Sequence, residues 1–481
     1  MTYLDEKIGM KSLSNILIIF LGVVMMTITT CQLGAQNNSL ESIEGIWFGK
    51  LEIPNAATLR MGIIVNNDGT SALNIIDQAT GNIPIDEALY EGDTVSFKLN
   101  RLGITIKGSI NADKDSIWSK FMQRGGEFTL NLGLVDELPQ LNRPQMPKEP
   151  FGYASEEVEF ENKTAGLKLA GTLTIPKSDM NVPAVVLLTG SGQQKRDHEM
   201  GGHKPFWVIA DYLSNHGIAV LRMDDRGIGG STGDFGNSTT GDFATDAIAA
   251  VDYLRSRKGI DVNQIGLIGH SEGGGTAVIA ASQSNNVKFI ISLAGGIENF
   301  GDSHIKQMSD RLRSQNIPEE NIELEANWRR KLNEIVREPT DSAKAAKKMW
   351  NAYNLLPEED IKTMNWPEGR MSHMVSQLLS PWWRYSISLD VISLYMDLDC
   401  PALLLFGTKD VQLNASTNMP LIEEAVNVNK KTNIEIQLID GVNHAFQTAG
   451  TGSEYEYIQI EETFSPEVLK LLSEWILNDI K

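Results

Sequence analysis

A five-residue segment in the middle of the chain has the residue types and spacing of a serine nucleophile. Gly269-His270-Ser271-Glu272-Gly273 follows a short apolar run and leads into small, helix-compatible residues. This order is typical of a nucleophile elbow, in which the serine lies on a strained turn and the flanking glycines avoid a collision. The pattern predicts that Ser271 attacks a substrate and that N–H groups of the following helix stabilise an oxyanion.

A serine hydroxyl is a weak nucleophile and needs a base that a third group orients. His444 is predicted to be the base because it follows a predicted strand late in the chain, whereas His304 and His373 lie in a predicted helical insertion. Asp410 follows the preceding predicted strand, and we interpret it as the orienting acid. Asp440 is the remaining alternative, although it has the character of a turn residue.

The oxyanion hole needs a second N–H group from the loop after an earlier strand. The segment Thr189-Gly190-Ser191-Gly192 occupies that place. We predict that the backbone N–H groups of Ser191 and Glu272 form the hole, with Gly192 as the next candidate.

Other polar residues near these segments are interpreted as structural. His270 is adjacent to the serine, so an elbow directs its side chain elsewhere, and residues 224–227 are predicted to be a salt-bridged loop at the pocket edge. One cluster of possible ligands matches no standard zinc spacing: Asp197, His198, Glu199 and His203. The sequence therefore predicts neither a metal nor another cofactor.

Composition limits the class of protein. With 481 residues, of which 41% are hydrophobic, the chain is long enough for two or three globular domains. A net charge of −20 argues against binding to nucleic acid or to an anionic membrane surface.

The N-terminus has the pattern of a targeting segment. Lys11 precedes an apolar run over residues 16–28. We predict a signal peptide over residues 1–35, cleaved after Ala35, and therefore an exported protein that is periplasmic or extracellular and has no membrane span after cleavage. Lipid anchoring through Cys31 is the alternative.

The rest of the chain must position the predicted site, and its patterning changes along its length. Residues 37–138 alternate with period two, which predicts a small antiparallel β-domain, a sandwich or barrel. A Pro-rich linker is predicted at residues 139–150. Residues 151–481 alternate apolar strands with helices, which predicts an α/β class with a mostly parallel sheet and helices on both faces. The elements predicted here include an opening strand at residues 167–176, strands at residues 289–293 and 434–439, and a helix at residues 466–478. A strandless interval near residues 297–397 predicts a helical cap.

Several of these segments together resemble a known family. They resemble exported bacterial α/β-hydrolases, the esterases related to serine aminopeptidases and prolyl-oligopeptidase-like enzymes, at residues 188–192, 204–206, 222–233, 269–274, 406–410 and 443–447. The resemblance implies an α/β-hydrolase fold and hydrolysis of a small-molecule carboxylic ester. The predicted cap has no counterpart in this family. The resemblance therefore does not identify the substrate.

Three hypotheses follow. The leading hypothesis is a serine esterase that forms an acyl-enzyme on Ser271, with His444 as base and Asp410 as its orienting group. A serine aminopeptidase or peptidase of the same fold is the second. A non-catalytic binding protein on a decayed hydrolase scaffold is the third, and the complete triad argues against it.

Overall fold

The computed structural model describes residues 40–53, 57–78, 80–123, 125–454 and 456–480. The chain divides into two compact units, of which the first ends at Asn142 and the second begins at Arg143. The predicted signal peptide, with Cys31, lies outside the described residues. No helix within the described ranges is long and apolar enough to cross a membrane.

The first unit is one antiparallel sheet of nine strands. The strands are β1 (Gly45–Ile53), β2 (Ala57–Val65), β3 (Ser71–Ile75), β4 (Thr80–Pro84), β5 (Glu87–Glu91), β6 (Thr94–Leu99), β7 (Ile104–Ile110), β8 (Ser116–Gln123) and β9 (Gly126–Val135). Their order is β4-β3-β2-β1-β9-β8-β7-β6-β5. The edge strands β4 and β5 are consecutive in the chain, and Ile85 and Asp86 between them bond to Ser71 on one side and Lys98 on the other. The sheet therefore curls into a barrel.

The period-two pattern of this unit places one side of each strand in a closed interior. Trp47, Leu51 and Ile53 alternate along β1 and are all buried. The indole N–H of Trp47 donates to the carbonyl of Ile43 at 3.1 Å, so the largest interior side chain leaves no unpaired donor. The opposite side of the strands carries exposed residues, among them Trp118.

The second unit is built on a mixed sheet of eight strands. These are β10 (Tyr153–Asn162), β11 (Leu167–Pro176), β12 (Val182–Leu188), β13 (Ala219–Met223), β14 (Ile260–His270), β15 (Phe289–Leu293), β16 (Ala402–Gly407) and β17 (Ile434–Ile439). Their order is β10-β11-β13-β12-β14-β15-β16-β17. The strands from β12 to β17 run parallel, whereas β10 and β11 are antiparallel. The carboxyl ends of β12, β14, β16 and β17 therefore meet at one edge.

Helices cover both faces of this sheet, as an α/β-hydrolase fold requires. They are α1 (Pro205–Asn215), α2 (Thr240–Arg255), α3 (Glu272–Gln283), α4 (Phe300–Ser314), α5 (Glu319–Arg337), α6 (Ser342–Tyr353), α7 (Glu358–Thr363), α8 (Glu368–Leu378), α9 (Pro381–Ser388), α10 (Val391–Met396), α11 (Ala415–Asn429) and α12 (Pro466–Asn478). Ala184, Val186 and Leu188 of β12 join the core with α2 and α3. Val185 and Leu187, which point the other way, join the core with α1 and α12.

Helices α4 to α10 form the cap, inserted between β15 and β16. The cap has a core of its own, in which Trp328 and Leu332 of α5 pack with Trp366 and with Met371 of α8. Such a core lets the insertion keep its shape without altering the sheet.

Two elements of the second unit are not predicted by the sequence pattern. The pattern predicts β11 as the opening strand, but β10 precedes it at the sheet edge. Its glutamates, such as Glu157 and Glu159, give a charged pattern because an edge strand faces solvent on one side. Helix α11 contains Pro420, a residue that sequence patterns associate with the end of a helix.

Candidate active site

Ser271 lies on a strained turn between a strand and a helix. β14 ends one residue before it, and α3 begins one residue after it. Its φ and ψ are 54° and −117°, a conformation that side-chain-bearing residues rarely adopt. A Cβ on Gly269 would lie 2.0 Å from the carbonyl oxygen of Gly273, and one on Gly273 would lie 2.3 Å from that of Leu188. Both glycines are therefore required for the turn.

Asp410 and His444 are brought together after β16 and β17. The Nδ1–H of His444 donates to Oδ2 of Asp410 at 2.8 Å, and both side chains are buried. Oδ1 of Asp410 accepts the backbone N–H groups of Gln412 and Leu413, each at 2.8 Å. A carboxylate held by three donors keeps the proton on Nδ1 and leaves Nε2 as the free acceptor. That is the tautomer a general base needs.

Asp440, the alternative acid, takes a different place. It accepts a hydrogen bond from Thr408 Oγ1 at 3.0 Å and is exposed. The geometry thus pairs His444 with Asp410 and not with Asp440.

The loop that carries His444, residues 440–447, is called the base loop below. Asn443 and Gln447 tie it together: the Gln447 N–H donates to Asn443 Oδ1 at 2.9 Å, and the Asn443 amide donates to Gln447 Oε1 at 3.0 Å. The amide nitrogen of Gln447 also donates to the carbonyls of Tyr457 and Glu462. These fully satisfied buried amides fix the loop that positions the base.

The serine and the base lie on neighbouring loops. Among the described residues, the Ser271 hydroxyl makes no hydrogen bond to the imidazole of His444. The two loops are nevertheless joined, because His270, next to the serine, contacts the base loop through the carbonyl of His444 at 2.8 Å. In hydrolases without substrate, the nucleophile–base hydrogen bond is often long and shortens when substrate binds.

The loop after β12, residues 189–196, is called the oxyanion loop below. A Cβ on Gly190 would lie 3.3 Å from Cβ of Ser271, so this loop reaches the serine. Within the described ranges, neither the Ser191 nor the Glu272 backbone N–H has a hydrogen-bond acceptor. Both predicted oxyanion donors are therefore available to a substrate oxygen.

Asp225, two residues after β13, holds the oxyanion loop. Its carboxylate accepts from Thr189 Oγ1 at 2.7 Å and from the Gln194 N–H at 2.8 Å. Burial raises the pKa of this carboxyl to about 7, and the two donors partly oppose that rise. The neighbouring Asp224 accepts the N–H of Arg196 at 2.9 Å. The sequence predicts a salt-bridged loop at residues 224–227. This prediction describes Asp224, which pairs with Arg196, but it misses the support that Asp225 gives to the oxyanion loop.

The side chain of Glu272 links the elbow to the cap. Its Oε1 accepts the indole N–H of Trp382 in α9 at 2.6 Å and the hydroxyl of Thr240 at 2.7 Å. Burial raises the pKa of Glu272, whereas its hydrogen bonds, including one with Ser191, oppose that rise. Trp382 therefore contacts the residue that follows the nucleophile, a contact that the sequence does not reveal.

A cavity opens beside the elbow. Thr189, Gly190 and Glu272 line it towards the elbow, and Phe235 and Phe243 form apolar parts of its wall. Ser271 is not among the lining residues, so the cavity neighbours the reacting atoms without containing them.

The residues considered as possible metal ligands each bond to other partners in the structure. His203 bonds to Thr463 Oγ1 at 2.8 Å and to the Tyr457 carbonyl at 2.9 Å. Asp197 forms ion pairs with Arg222 and Lys204. In the part of the chain that the structure describes, no group of three or more His, Cys, Asp or Glu residues is arranged to hold a metal ion.

Comparison with known proteins adds family information. The family model described as X-Pro dipeptidyl-peptidase (S15 family) matches residues 165–424. The chain is 26% identical over 326 residues to esterase EstD of Thermotoga maritima, covering 66% of this chain and 68% of that one. It is 28% identical over 177 residues to dipeptidyl aminopeptidase BIII of Pseudoxanthomonas mexicana, covering 34% of this chain but only 23% of that one.

Among solved structures, the chain is similar to the α/β hydrolase GrgF from Penicillium sp. sh18. The two are 19% identical, with a TM-score of 0.42, and the match covers 68% of this chain and 99% of that one.

Proposed function

The chain belongs to the X-Pro dipeptidyl-peptidase (S15) family, and we propose that it is a serine hydrolase that cleaves carboxylic esters through an acyl-enzyme on Ser271. The observation that carries this proposal is the buried hydrogen bond from His444 to Asp410, on loops adjacent to the strained turn of Ser271. That hydrogen bond selects the tautomer able to accept the serine proton.

In the proposed reaction, His444 Nε2 takes the proton of the Ser271 hydroxyl as its oxygen attacks the ester carbonyl. The negative charge that develops on the carbonyl oxygen is stabilised by the N–H groups of Ser191 and Glu272. Breakdown of the tetrahedral intermediate expels the alcohol, which receives the proton from His444. A water molecule then repeats the sequence on the acyl-enzyme and releases the acid.

An ester substrate is favoured over an amide by the surroundings of the cap carboxylates. An aminopeptidase needs a carboxylate that is free to hold the substrate's amine. Glu319 and Glu323 are exposed and paired with arginines of the cap, whereas Glu325 is buried between Arg329 and Arg370. By contrast, the aromatic Trp382 of the cap contacts the side chain of Glu272 in the elbow. It suits an acyl or aryl group better than an ammonium group held by a carboxylate.

The aminopeptidase alternative is favoured by one observation, the position of Glu272. Its buried carboxylate follows the nucleophile directly and receives hydrogen bonds from neutral donors, Trp382, Thr240 and Ser191. A substrate ammonium group could replace one of these donors. In that case Glu272→Gln should abolish cleavage of aminoacyl anilides while sparing that of acyl esters.

The test of reaction class uses labelling and matched substrates. Wild-type protein should react with a fluorophosphonate probe and cleave short-chain aryl esters, with a much lower kcat/KM for the matched aminoacyl anilides. Ser271→Ala should lose both labelling and turnover, by about 10³-fold or more. Ser282→Ala, at the other end of α3, should lose neither, since its hydroxyl only donates to the Ile279 carbonyl.

Two outcomes would redirect the proposal. An anilide rate comparable to the ester rate, lost in Glu272→Gln, would favour the peptidase. A folded wild-type protein that neither labels nor turns over would favour a binding protein on a hydrolase scaffold.

We also propose that the protein is exported by cleavage of residues 1–35. The support is the sequence pattern of Lys11 and the apolar run that follows it. Fractionation of the native host and the mass of the mature protein test this. A mature N-terminus at Cys31 carrying lipid would instead support a lipid anchor.

A further inference from the structure

We propose that His270 and His198 are positioning residues. Their imidazoles form a hydrogen-bonded chain that fixes the base loop relative to the elbow and to the segment that follows the oxyanion loop. The inference rests on the proposed function, because it gives the imidazoles a role in orienting His444.

The imidazoles of His198, His270 and His444 are neighbours in space, in that order. Nε2 of His198 lies 3.2 Å from Nδ1 of His270, and Nε2 of His270 lies 2.8 Å from the carbonyl oxygen of His444. The ring centroids are 5.1 Å and 4.9 Å apart, respectively. His198 also stacks on Phe206 of α1 with centroids 4.9 Å apart, which anchors the far end of the chain.

The direction of these hydrogen bonds follows from their last acceptor. A carbonyl oxygen can only accept, so Nε2 of His270 must carry a proton. A neutral His270 then has a bare Nδ1, which accepts from Nε2–H of His198. His198 is left with a bare Nδ1, and that atom is buried with no partner among the described residues. Both rings are thus predicted to be neutral and protonated on Nε2.

The surroundings of the two rings agree with this neutral state. Desolvation, together with the smaller effect of a charged His444, lowers the pKa of His198 to about 4 and that of His270 well below its usual range. A neutral His270 can hold the base loop while His444 gains and loses a proton during turnover.

The consequence for catalysis is geometric. Asp410 fixes the ring of His444 through Nδ1, whereas His270 fixes the backbone to which that ring is attached. A displacement of the base by about 1 Å costs on the order of 10²-fold in rate. Removing the Nε2 donor should therefore lower kcat.

The first experiment compares His270→Phe with His270→Gln. Phenylalanine keeps a ring but removes the donor, whereas the glutamine amide nitrogen reaches about as far as Nε2. We expect kcat on an aryl ester to fall about 10- to 100-fold in His270→Phe with little change in KM. His270→Gln should restore most of the loss. Rates are expressed per site titrated with the fluorophosphonate probe, so that misfolded protein does not count.

The matched control is His216→Phe. His216 is exposed at the end of α1 and its Nδ1 also bonds to a backbone carbonyl, that of Tyr212, at 2.7 Å. This variant should retain the wild-type kcat. Equal kcat in wild type and folded His270→Phe would overturn the inference, and so would losses of the same size in His270→Phe and His270→Gln.

A second experiment does not depend on activity. In wild-type protein labelled with ¹⁵N-histidine, two-bond ¹⁵N–¹H correlations report the tautomer of each ring, and single His→Gln variants assign the signals. We expect His198 and His270 to be neutral and protonated on Nε2 at neutral pH. A proton on Nδ1 of His270, or a charged ring, would overturn the inference. Inactive wild-type protein with the expected tautomers would overturn the proposed function instead.

Discussion

Replacement of Asp410 by asparagine tests the proposed site most sharply, because the structure dictates how the new side chain must orient. Oδ1 of Asp410 accepts two backbone N–H groups, from Gln412 and Leu413. An amide NH₂ cannot take that position, so the asparagine oxygen must remain there. Its NH₂ group then faces Nδ1 of His444.

This orientation reverses the hydrogen bond to the base. The NH₂ group donates to Nδ1, so His444 must carry its proton on Nε2, where it can no longer accept the proton of Ser271. We expect kcat to fall by about 10⁴-fold, the loss known for the same substitution in a serine protease. That factor corresponds to about 5 kcal/mol of transition-state stabilisation.

The fold should change much less than the rate. Both backbone hydrogen bonds to the side chain are kept, and the loss of a charge-assisted hydrogen bond to a neutral imidazole should lower the free energy of unfolding by about 1–3 kcal/mol. Turnover of an aryl ester, the rate of fluorophosphonate labelling and urea unfolding measure these effects separately.

Asp440→Asn is the matched control. Asp440 is exposed and bonds to Thr408 rather than to His444. The turnover of the Asp440→Asn variant should therefore stay near that of the wild type. A folded Asp410→Asn protein with turnover within about tenfold of the wild type would refute the tautomer argument. If Asp440→Asn alone lost activity, the acid would have to be reassigned.

Three further predictions concern stability. Gly269→Ala should lower the free energy of unfolding by about 3 kcal/mol, because its Cβ would lie 2.0 Å from a backbone oxygen, whereas Gly275→Ala in α3 has open space and should not; urea unfolding compares them. A truncated protein that begins at Arg143 should fold and melt at a higher temperature than one that begins at Phe151, since Arg143 donates to the carbonyls of residues 201, 458 and 460; equal melting temperatures would show that these bonds add nothing. Burial lowers the pKa of His203 to about 4, so its contribution to stability is complete above the unfolded pKa of about 6.5 and is lost as the pH falls from there towards 4. His203→Gln should therefore reduce the fall in melting temperature between about pH 7 and pH 5, and an unchanged fall would contradict the assignment.

Sequence patterns predict best the elements whose two ends are clearly marked. Strands β15 and β17 and helix α12 have the bounds that their apolar patterns indicate, because each pattern is bounded by polar turns or begins with proline. The edge strand β10 escapes prediction because its glutamates face solvent, and α11 escapes because Pro420 lies within it.

The candidate site also has parts that the sequence predicts and parts that it does not. Ser271, Asp410 and His444 could be named from the sequence because each follows a strand in the order that the fold imposes, and the structure joins Asp410 to His444. The contact of Trp382 with Glu272 could not be predicted. It depends on how the cap folds over the sheet, and no local pattern encodes the meeting of residues so far apart in the chain.

The insertion point of the cap bears on how this fold can accommodate a large insertion. Strands β15 and β16 are hydrogen-bonded neighbours, although β15 ends at Leu293 and β16 begins at Ala402. Each doubling of a connection costs only about 0.6 kcal/mol of loop-closure entropy, so a crossover of this length costs about 2 kcal/mol more than a short one. Because the cap buries its own tryptophans, it can offset that cost by itself. The whole insertion can therefore be exchanged while the strands that precede Ser271, Asp410 and His444 keep their register.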